Sequence, residues 1–304
     1  MSKILRIGTR ASELALWQAK KVQVLLEEKG IATEIVEVSS DGDIDLVTPL
    51  YEMGVQGVFT KTLDAALLSN KIDVAVHSYK DVPTELAKGI AKAAVLKRGS
   101  YKDVLVKNDD NNLPPEGIIA TSSLRRKAQW LSRFPKYKIT SLRGNINTRL
   151  KKLNESDWQG AIFAEAGITR IDLNTPYKEV LDWMIPAPAQ GAVVVVCREY
   201  DVEVENICWQ INDPDTEACT QVERSFLRYL MGGCSAPIGA IAKIDGNTIN
   251  FRGIVLSPDG KHKVEVERSF PNKEYELVGI MAAKCVLSRG GDTIMQQIKN
   301  TNAG

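Results

Sequence analysis

Pro186-Ala187-Pro188-Ala189-Gln190-Gly191-Ala192-Val193-Val194-Val195-Val196 brings together two strong local signals in this 304-residue chain. Two prolines and a glycine stop any helix arriving from upstream, and the four valines behind them form the most strand-like run in the sequence. A run this apolar, with no polar alternation, predicts a strand covered on both faces. That is the environment of a layered α/β sheet rather than of a half-solvated antiparallel one.

Upstream of that passage, strand-like and helix-like patterns alternate. Residues 4–7, 33–38 and 72–76 read as strands. Helical spacing of Leu14, Trp17, Val24 and Leu25 begins at Ser12, an N-cap candidate, and stops at Gly30. A second helix reads over 60–69. This βαβαβ order predicts an open, largely parallel sheet. Between them, residues 41–57 are rich in Gly and Asp without periodicity and predict a mobile loop. The alternation recurs with strands at 103–106, 117–120, 137–142 and 161–163 and with helices through Trp130 and Leu153, a second α/β domain. Downstream, a helix over 215–231 ends at Gly232-Gly233. Strands at 238–244, 248–256 and 263–270 then follow, separated by Asp245-Gly246-Asn247 and Pro258-Asp259-Gly260, which read as hairpin turns. A helix over 274–287 covers that small antiparallel sheet.

Lys and Arg number 39 against 38 Asp and Glu, a net charge of +1, so bulk nucleic-acid binding is disfavoured and the basic residues must be concentrated locally. The start, Met1-Ser2-Lys3-Ile4-Leu5-Arg6-Ile7-Gly8, has no apolar signal region, and no run reaches membrane-spanning length; the expectation is a soluble, cytoplasmic protein. Five cysteines form no Cys-x-x-Cys pair and no Cys/His set of zinc spacing, so a metal site is not expected. Cys197, Cys208 and Cys219 sit among apolar neighbours and read as packing residues.

Three turns concentrate the arginines: Gly8-Thr9-Arg10, Thr121-Ser122-Ser123-Leu124-Arg125-Arg126, and Leu142-Arg143-Gly144-Asn145-Ile146-Asn147-Thr148-Arg149. Each follows a strand and opens a helix, where free backbone N–H groups, the helix dipole and guanidinium forks suit an anion. Phosphate and carboxylate fit equally at this point. As neighbours, Arg125 and Arg126 read as facing different directions; with Arg143 and Arg149, four guanidiniums near one cleft would require an anionic ligand. After the strand at 72–76 comes His77-Ser78-Tyr79-Lys80-Asp81-Val82-Pro83, at the sheet edge where open α/β folds bind ligands. There Asp81 suits exchange of a proton with a substrate nitrogen and Lys80 suits neutralising an acid, and an ordinary polar turn reads the same way. Cys234, in Gly232-Gly233-Cys234-Ser235-Ala236-Pro237, is a loop thiol whose thiolate nearby arginines would favour; simple packing is the other reading.

Taken together and in order, these motifs, with Leu16-Trp17-Gln18-Ala19 and Pro237-Ile238-Gly239, resemble the porphobilinogen deaminase (hydroxymethylbilane synthase) family over essentially the whole chain. The resemblance implies two α/β domains like type II periplasmic binding proteins and a smaller C-terminal α/β domain with an antiparallel sheet. Residues 1–98 and 188–212 would form the first, 99–187 the second and 213–304 the third, the chain returning after Pro186 to complete the first. It implies a covalent dipyrromethane cofactor, made from two porphobilinogens and joined to Cys234 as a thioether, on which four more porphobilinogens are linked head to tail with loss of ammonia. Water then releases 1-hydroxymethylbilane for hand-over to uroporphyrinogen III synthase, in tetrapyrrole and heme biosynthesis.

Asp81 matches the catalytic aspartate, which would bind pyrrole N–H groups and stabilise the azafulvenium cation. Lys80, Asp81, Thr121, Ser123, Arg125, Arg126, Arg143 and Gly144 match cofactor-binding positions. Arg10, Ser12, Gln18, Ser78, Arg149, Arg170 and Gln190 match substrate-binding ones. A monomer binding neither metal nor nucleic acid nor membrane is implied. Gln56 stands where a basic residue is common, and Ala189 where glycine is frequent, a change expected to act on backbone freedom. The competing reading is a cytosolic dicarboxylate-binding module of the periplasmic-binding-protein type, without catalysis.

Overall fold

In the computed structural model, residues 4–39, 60–231, 236–271 and 275–302 are described. The loop expected at 41–57, with Gln56, and the turn bearing Cys234 lie outside them. The chain divides into two compact units, residues 1–46, 55–99 and 191–217 in one and 47–54, 100–190 and 218–304 in the other.

The first unit opens with β1 (Leu5–Thr9), α1 (Glu13–Glu27) and β2 (Thr33–Glu37), then α2 (Lys61–Leu68), β3 (Val74–Ser78) and β4 (Ile90–Val95). Helix α1 buries Ala15, Gln18, Ala19, Val22 and Leu26, one face at three-to-four-residue spacing. Its N-cap Ser12 is extended, and Gly30 just beyond its end takes the left-handed φ of 79° that a side chain resists.

The second unit begins at β5 (Asp103–Val106) and continues through β6 (Ile118–Ala120), α3 (Leu124–Arg133), β7 (Lys138–Thr140), α4 (Ile146–Asn154), β8 (Gly160–Ala164), α5 (Glu165–Arg170) and β9 (Lys178–Val180). Its sheet runs β7-β6-β8-β5-β9, with β6 parallel to β7 and β8 and with β5 antiparallel to both its neighbours.

The chain then returns to the first unit as β10 (Val193–Arg198), which enters between β3 and β4, antiparallel to both, to give the order β2-β1-β3-β10-β4. The two sheets therefore share one plan, in which the fourth strand is antiparallel to both its neighbours; in the first unit that strand arrives only after residues 100–190 of the second. Val193 to Cys197 are all buried, as the unbroken valine run required. Val193, Val195 and Cys197, on one face of the strand, share a core with Leu5, Ile7, Val22, Leu26, Val74 and Val76. Burial pushes the thiols of Cys197 and Cys208 in that core up to about 11 and about 12, so both stay protonated and serve as packing groups.

Helices α6 (Val202–Trp209) and α7 (Pro214–Tyr229) lead to the meander β11 (Ile238–Asp245), β12 (Thr248–Leu256) and β13 (Lys263–Pro271), followed by α8 (Tyr275–Val286) and α9 (Asp292–Asn302). Phe226 and Phe251 meet at 5.2 Å between ring centroids in the core between helices and meander. The meander also packs on α3: Ile241, Ile254 and Leu256 enclose Ala128 together with Ile185. At the turn after β12, Gly260 has φ 74°, and a Cβ there would lie 2.4 Å from the Ala128 carbonyl oxygen and 2.8 Å from the Ser132 nitrogen. Glycine is what allows this turn to touch the helix backbone. Among the described residues no helix is long and apolar enough to cross a membrane.

The mixed α/β architecture agrees with expectation, and the differences are local. The elements β4, β9, α5, α6 and α9 carry no clear sequence signal and were not anticipated. Ile90-Ala91-Lys92-Ala93-Ala94-Val95 is alanine-rich and lacks strand propensity; it is extended because β10 supplies a long-range partner.

Candidate functional site

In the first unit, β3 ends at Ser78 and the chain turns through one 3₁₀ turn, Tyr79–Asp81. The Tyr79 N–H donates to the Ala192 carbonyl at 3.0 Å and the Val82 N–H to the Tyr79 carbonyl at 3.3 Å, fixing the turn against the segment that leads into β10. Lys80 and Asp81 are thereby presented, half-buried, at the carboxyl end of an interior strand. Gln18 reaches from α1 and donates from Nε2 to Ser78 Oγ at 2.8 Å. Arg10 and Ser12 stand half-buried where β1 passes into α1, and Ser12 makes no capping bond with its side chain. His77 is buried with Nε2 unpartnered; burial, and then the positive charge of Arg10, push its imidazole down to about 3. It is neutral at physiological pH.

The second unit assembles its polar residues around a group that the sequence pattern did not single out. Asp103, the first residue of β5, is fully buried. Its Oδ2 accepts from Arg125 Nη1 at 2.7 Å; its Oδ1 accepts from Arg126 Nε at 3.0 Å and Nη2 at 2.9 Å, and from Gln190 Nε2 at 3.0 Å. Burial would raise this carboxyl, but the adjacent Arg125 and Arg126 charges and these hydrogen bonds hold it well below the usual carboxylate range. Arg125 Nη1 also donates to the Ile185 carbonyl at 2.7 Å, Arg126 Nη1 to the Ile162 carbonyl at 2.8 Å, and Gln190 Nε2 to the Tyr101 carbonyl at 2.9 Å.

The expectation that neighbouring arginines diverge is therefore corrected. Their Cα–Cβ bonds do point about 100° apart on a helix, yet six-atom side chains bend back to one carboxylate. A single acid heading an apolar strand is the one sequence signal that could have found Asp103, and it names no partner.

Ser123 caps α3, its Oγ accepting from the Arg126 N–H at 3.4 Å, while the Ser123 N–H donates to Thr121 Oγ1 at 3.2 Å; both candidate hydroxyls thus belong to one turn. At the next turn Gly144 has φ 111°, and its carbonyl accepts from Arg149 Nε at 2.7 Å. Asn145 caps α4, accepting from the Thr148 N–H at 2.9 Å. Arg143 is buried on the strand side of that turn and Arg149 half-buried on the helix side. Arg170 closes the last turn of α5, and burial pushes it down to about 10, still protonated at neutral pH.

These groups fit a polycarboxylate. Guanidiniums gather at strand-to-helix turns, and Arg125 Nε is buried without a partner, so a ligand oxygen is the natural acceptor for it. Cys234 lies outside the described residues.

Two family descriptions match the chain: "Porphobilinogen deaminase, dipyromethane cofactor binding domain" over residues 5–206, and "Porphobilinogen deaminase, C-terminal domain" over 217–288. A porphobilinogen deaminase of Syntrophotalea carbinolica is 40% identical over 307 residues, covering 99% of this chain and 98% of that one. One of Chlorobaculum tepidum is 39% identical over 313 residues, covering 99% and 100%. Among solved structures, a nutrient-binding protein of Burkholderia cenocepacia bound to methionine aligns with TM-score 0.43 and 17% identity, over 70% of this chain and 93% of that one.

Proposed function

Because this chain belongs to the porphobilinogen deaminase family, we propose that the Asp81 turn and the arginine turns are the catalytic and carboxylate-binding parts of its site. The protein is a transferase of tetrapyrrole biosynthesis: it deaminates four porphobilinogens, joins them head to tail on a dipyrromethane, and releases 1-hydroxymethylbilane by hydrolysis. The non-catalytic binding module is not favoured.

The observation that carries the assignment is the set of guanidiniums held at strand ends, since every pyrrole ring brings two carboxylates. When bound, the dipyrromethane would supply the nucleophilic pyrrole α-carbon that attacks the methylene carbon of the next unit once ammonia has left. The residues of this chain do the rest. Asp81, held at the end of β3 by the 3₁₀ turn, accepts hydrogen bonds from pyrrole N–H groups and places negative charge where cationic charge develops as ammonia leaves. Lys80, Thr121, Ser123, Arg125, Arg126, Arg143 and Gly144 hold cofactor acetate and propionate groups, and Cys234 is the covalent anchor. Arg10, Ser12, Gln18, Ser78, Arg149, Arg170 and Gln190 hold incoming substrate. His77, neutral and buried, takes no part as an acid.

The division into residues 1–98 with 188–212, 99–187 and 213–304 is proposed as three domains. A cytoplasmic monomer that hands its product to uroporphyrinogen III synthase completes the reading.

Intact mass tests it. Protein incubated with porphobilinogen should exceed its sequence mass by two pyrrole units, and Cys234→Ser should not. A wild-type protein that stays at its bare mass while still binding dicarboxylates would favour the binding module instead.

A further inference from the structure

Among the described residues, Asp73 and Asp103 share one setting, a buried carboxylate clamped by two arginines. Asp73, just ahead of β3, is fully buried and takes Arg6 Nε at 2.9 Å, Arg6 Nη2 at 2.9 Å and Arg198 Nη2 at 3.2 Å. Asp103, at the head of β5, is fully buried and takes Arg125 and Arg126 as described. The clamps differ in their arginines. Arg6 and Arg198 belong to no arginine turn, and their side chains are 28% and 21% exposed; Arg125 and Arg126 are nearly buried at a helix start.

We infer that Asp103 is a positioning residue that presets Arg125 and Arg126 for the carboxylates of the polypyrrole. This deepens the carboxylate-binding role proposed above and rests on it. The physical need is specific. Two adjacent guanidiniums in a low-dielectric setting repel each other and are costly to desolvate, and without an internal counter-charge both would swing toward water. A carboxylate that takes Nη1 of one and the Nε/Nη2 edge of the other removes that drive. It holds Arg126 through Nε and Nη2 but Arg125 through Nη1 alone. Arg125 Nε remains buried and unpartnered, so a ligand carboxylate meets a donor already in place instead of having to order it. The remaining contacts brace the carboxylate: Gln190 donates to Oδ1, and Arg125 is tied to the Ile185 carbonyl. Two arginines and one aspartate leave a cluster charge of +1, sufficient to draw an anion and less self-repelling than +2.

Asp73 supplies the internal control, since a merely structural role for a buried clamped aspartate predicts the same behaviour at both sites. Wild type, Asp73→Asn and Asp103→Asn are produced in a host blocked in porphobilinogen synthesis and then given porphobilinogen. Covalent mass gain is followed against time and concentration, per folded molecule. The expected result is that Asp73→Asn loads at the wild-type rate, whereas Asp103→Asn loads at least about tenfold more slowly. Its half-saturating porphobilinogen concentration should rise by a similar factor, while the saturating turnover of molecules already loaded changes less than about twofold. Loading of Asp103→Asn within about twofold of Asp73→Asn would overturn the inference and leave the carboxylate-binding reading standing. Failure of the wild type to gain mass would take down both. Should Asp103→Asn not accumulate folded, Asp103→Glu, which keeps the charge but displaces it by one methylene, is read identically: loading at least about fivefold slower supports the inference and wild-type loading overturns it.

Discussion

At the scale of single residues, the site separates groups that do chemistry from groups that hold them. Asp81→Asn preserves shape but removes the charge and turns one acceptor oxygen into a donor, so it should keep a full complement of cofactor by intact mass and lose about 10²- to 10⁴-fold in turnover. Arg126→Leu should fail differently. It strips Asp103 of its bidentate partner and orphans the Ile162 carbonyl, so a loss of about 3–5 kcal/mol in urea unfolding is expected on top of any loss of cofactor. The arginines were legible from sequence because a strand running into a capped helix has a local signature. Asp103 was not, because its partners lie 22 and 23 positions away and a lone acid carries no pattern. The Ala189 substitution is explained by backbone: its φ is 61°, and its N–H donates to the buried Glu223 Oε2 at 2.6 Å, which holds a turn that an alanine would not choose.

Among the elements, the arginine helix α3 is held from two sides, by Trp130 packed with Leu105, Ile119 and Ile162 of its own sheet and by Ala128 packed against the meander. Gly260→Ala drives a methyl group into the Ala128 carbonyl and should lower the melting temperature by several degrees, an expected loss of about 2–4 kcal/mol from overpacking and left-handed strain together. Gly246→Ala is the comparator. It has φ 56° and open space around the point where a Cβ would sit, so only the backbone loss of about 1–2 kcal/mol is expected in the same thermal scan. The glycine and proline punctuation that marks these turns is why the meander strands were legible nearly to their observed ends. The elements missed have no such marks. β4 is alanine-rich and β9 is a three-residue exposed strand; both owe their shape to neighbours that are distant in sequence.

For the molecule as a whole, acid stability follows from three buried groups. Asp73 and Asp103 are held below the ordinary 3.8: burial opposes this, and their arginine partners overcome it. Groups lowered in this way stabilise the fold above their unfolded value and lose that contribution as pH falls below about 4. His77, lowered from 6.5 to about 3, acts at milder pH, because the unfolded chain takes up a proton that the folded one refuses. Stability should therefore fall from pH 6.5 downward at up to about 1.4 kcal/mol per pH unit, and steepen below pH 4. Urea midpoints measured from pH 7.5 to 4.5 check the first part, and His77→Gln should flatten it. The late return of β10 has a consequence for synthesis on the ribosome. β4 emerges about 100 residues before Val193, the start of the strand that, among the described residues, joins it to β3 in the first sheet. At ordinary synthesis rates that is on the order of 5–20 s during which the β3 edge stays open and β4 has no place to dock. The nascent amino-terminal half thus waits with an unpaired strand edge, and its sheet closes only after the second sheet has left the exit tunnel.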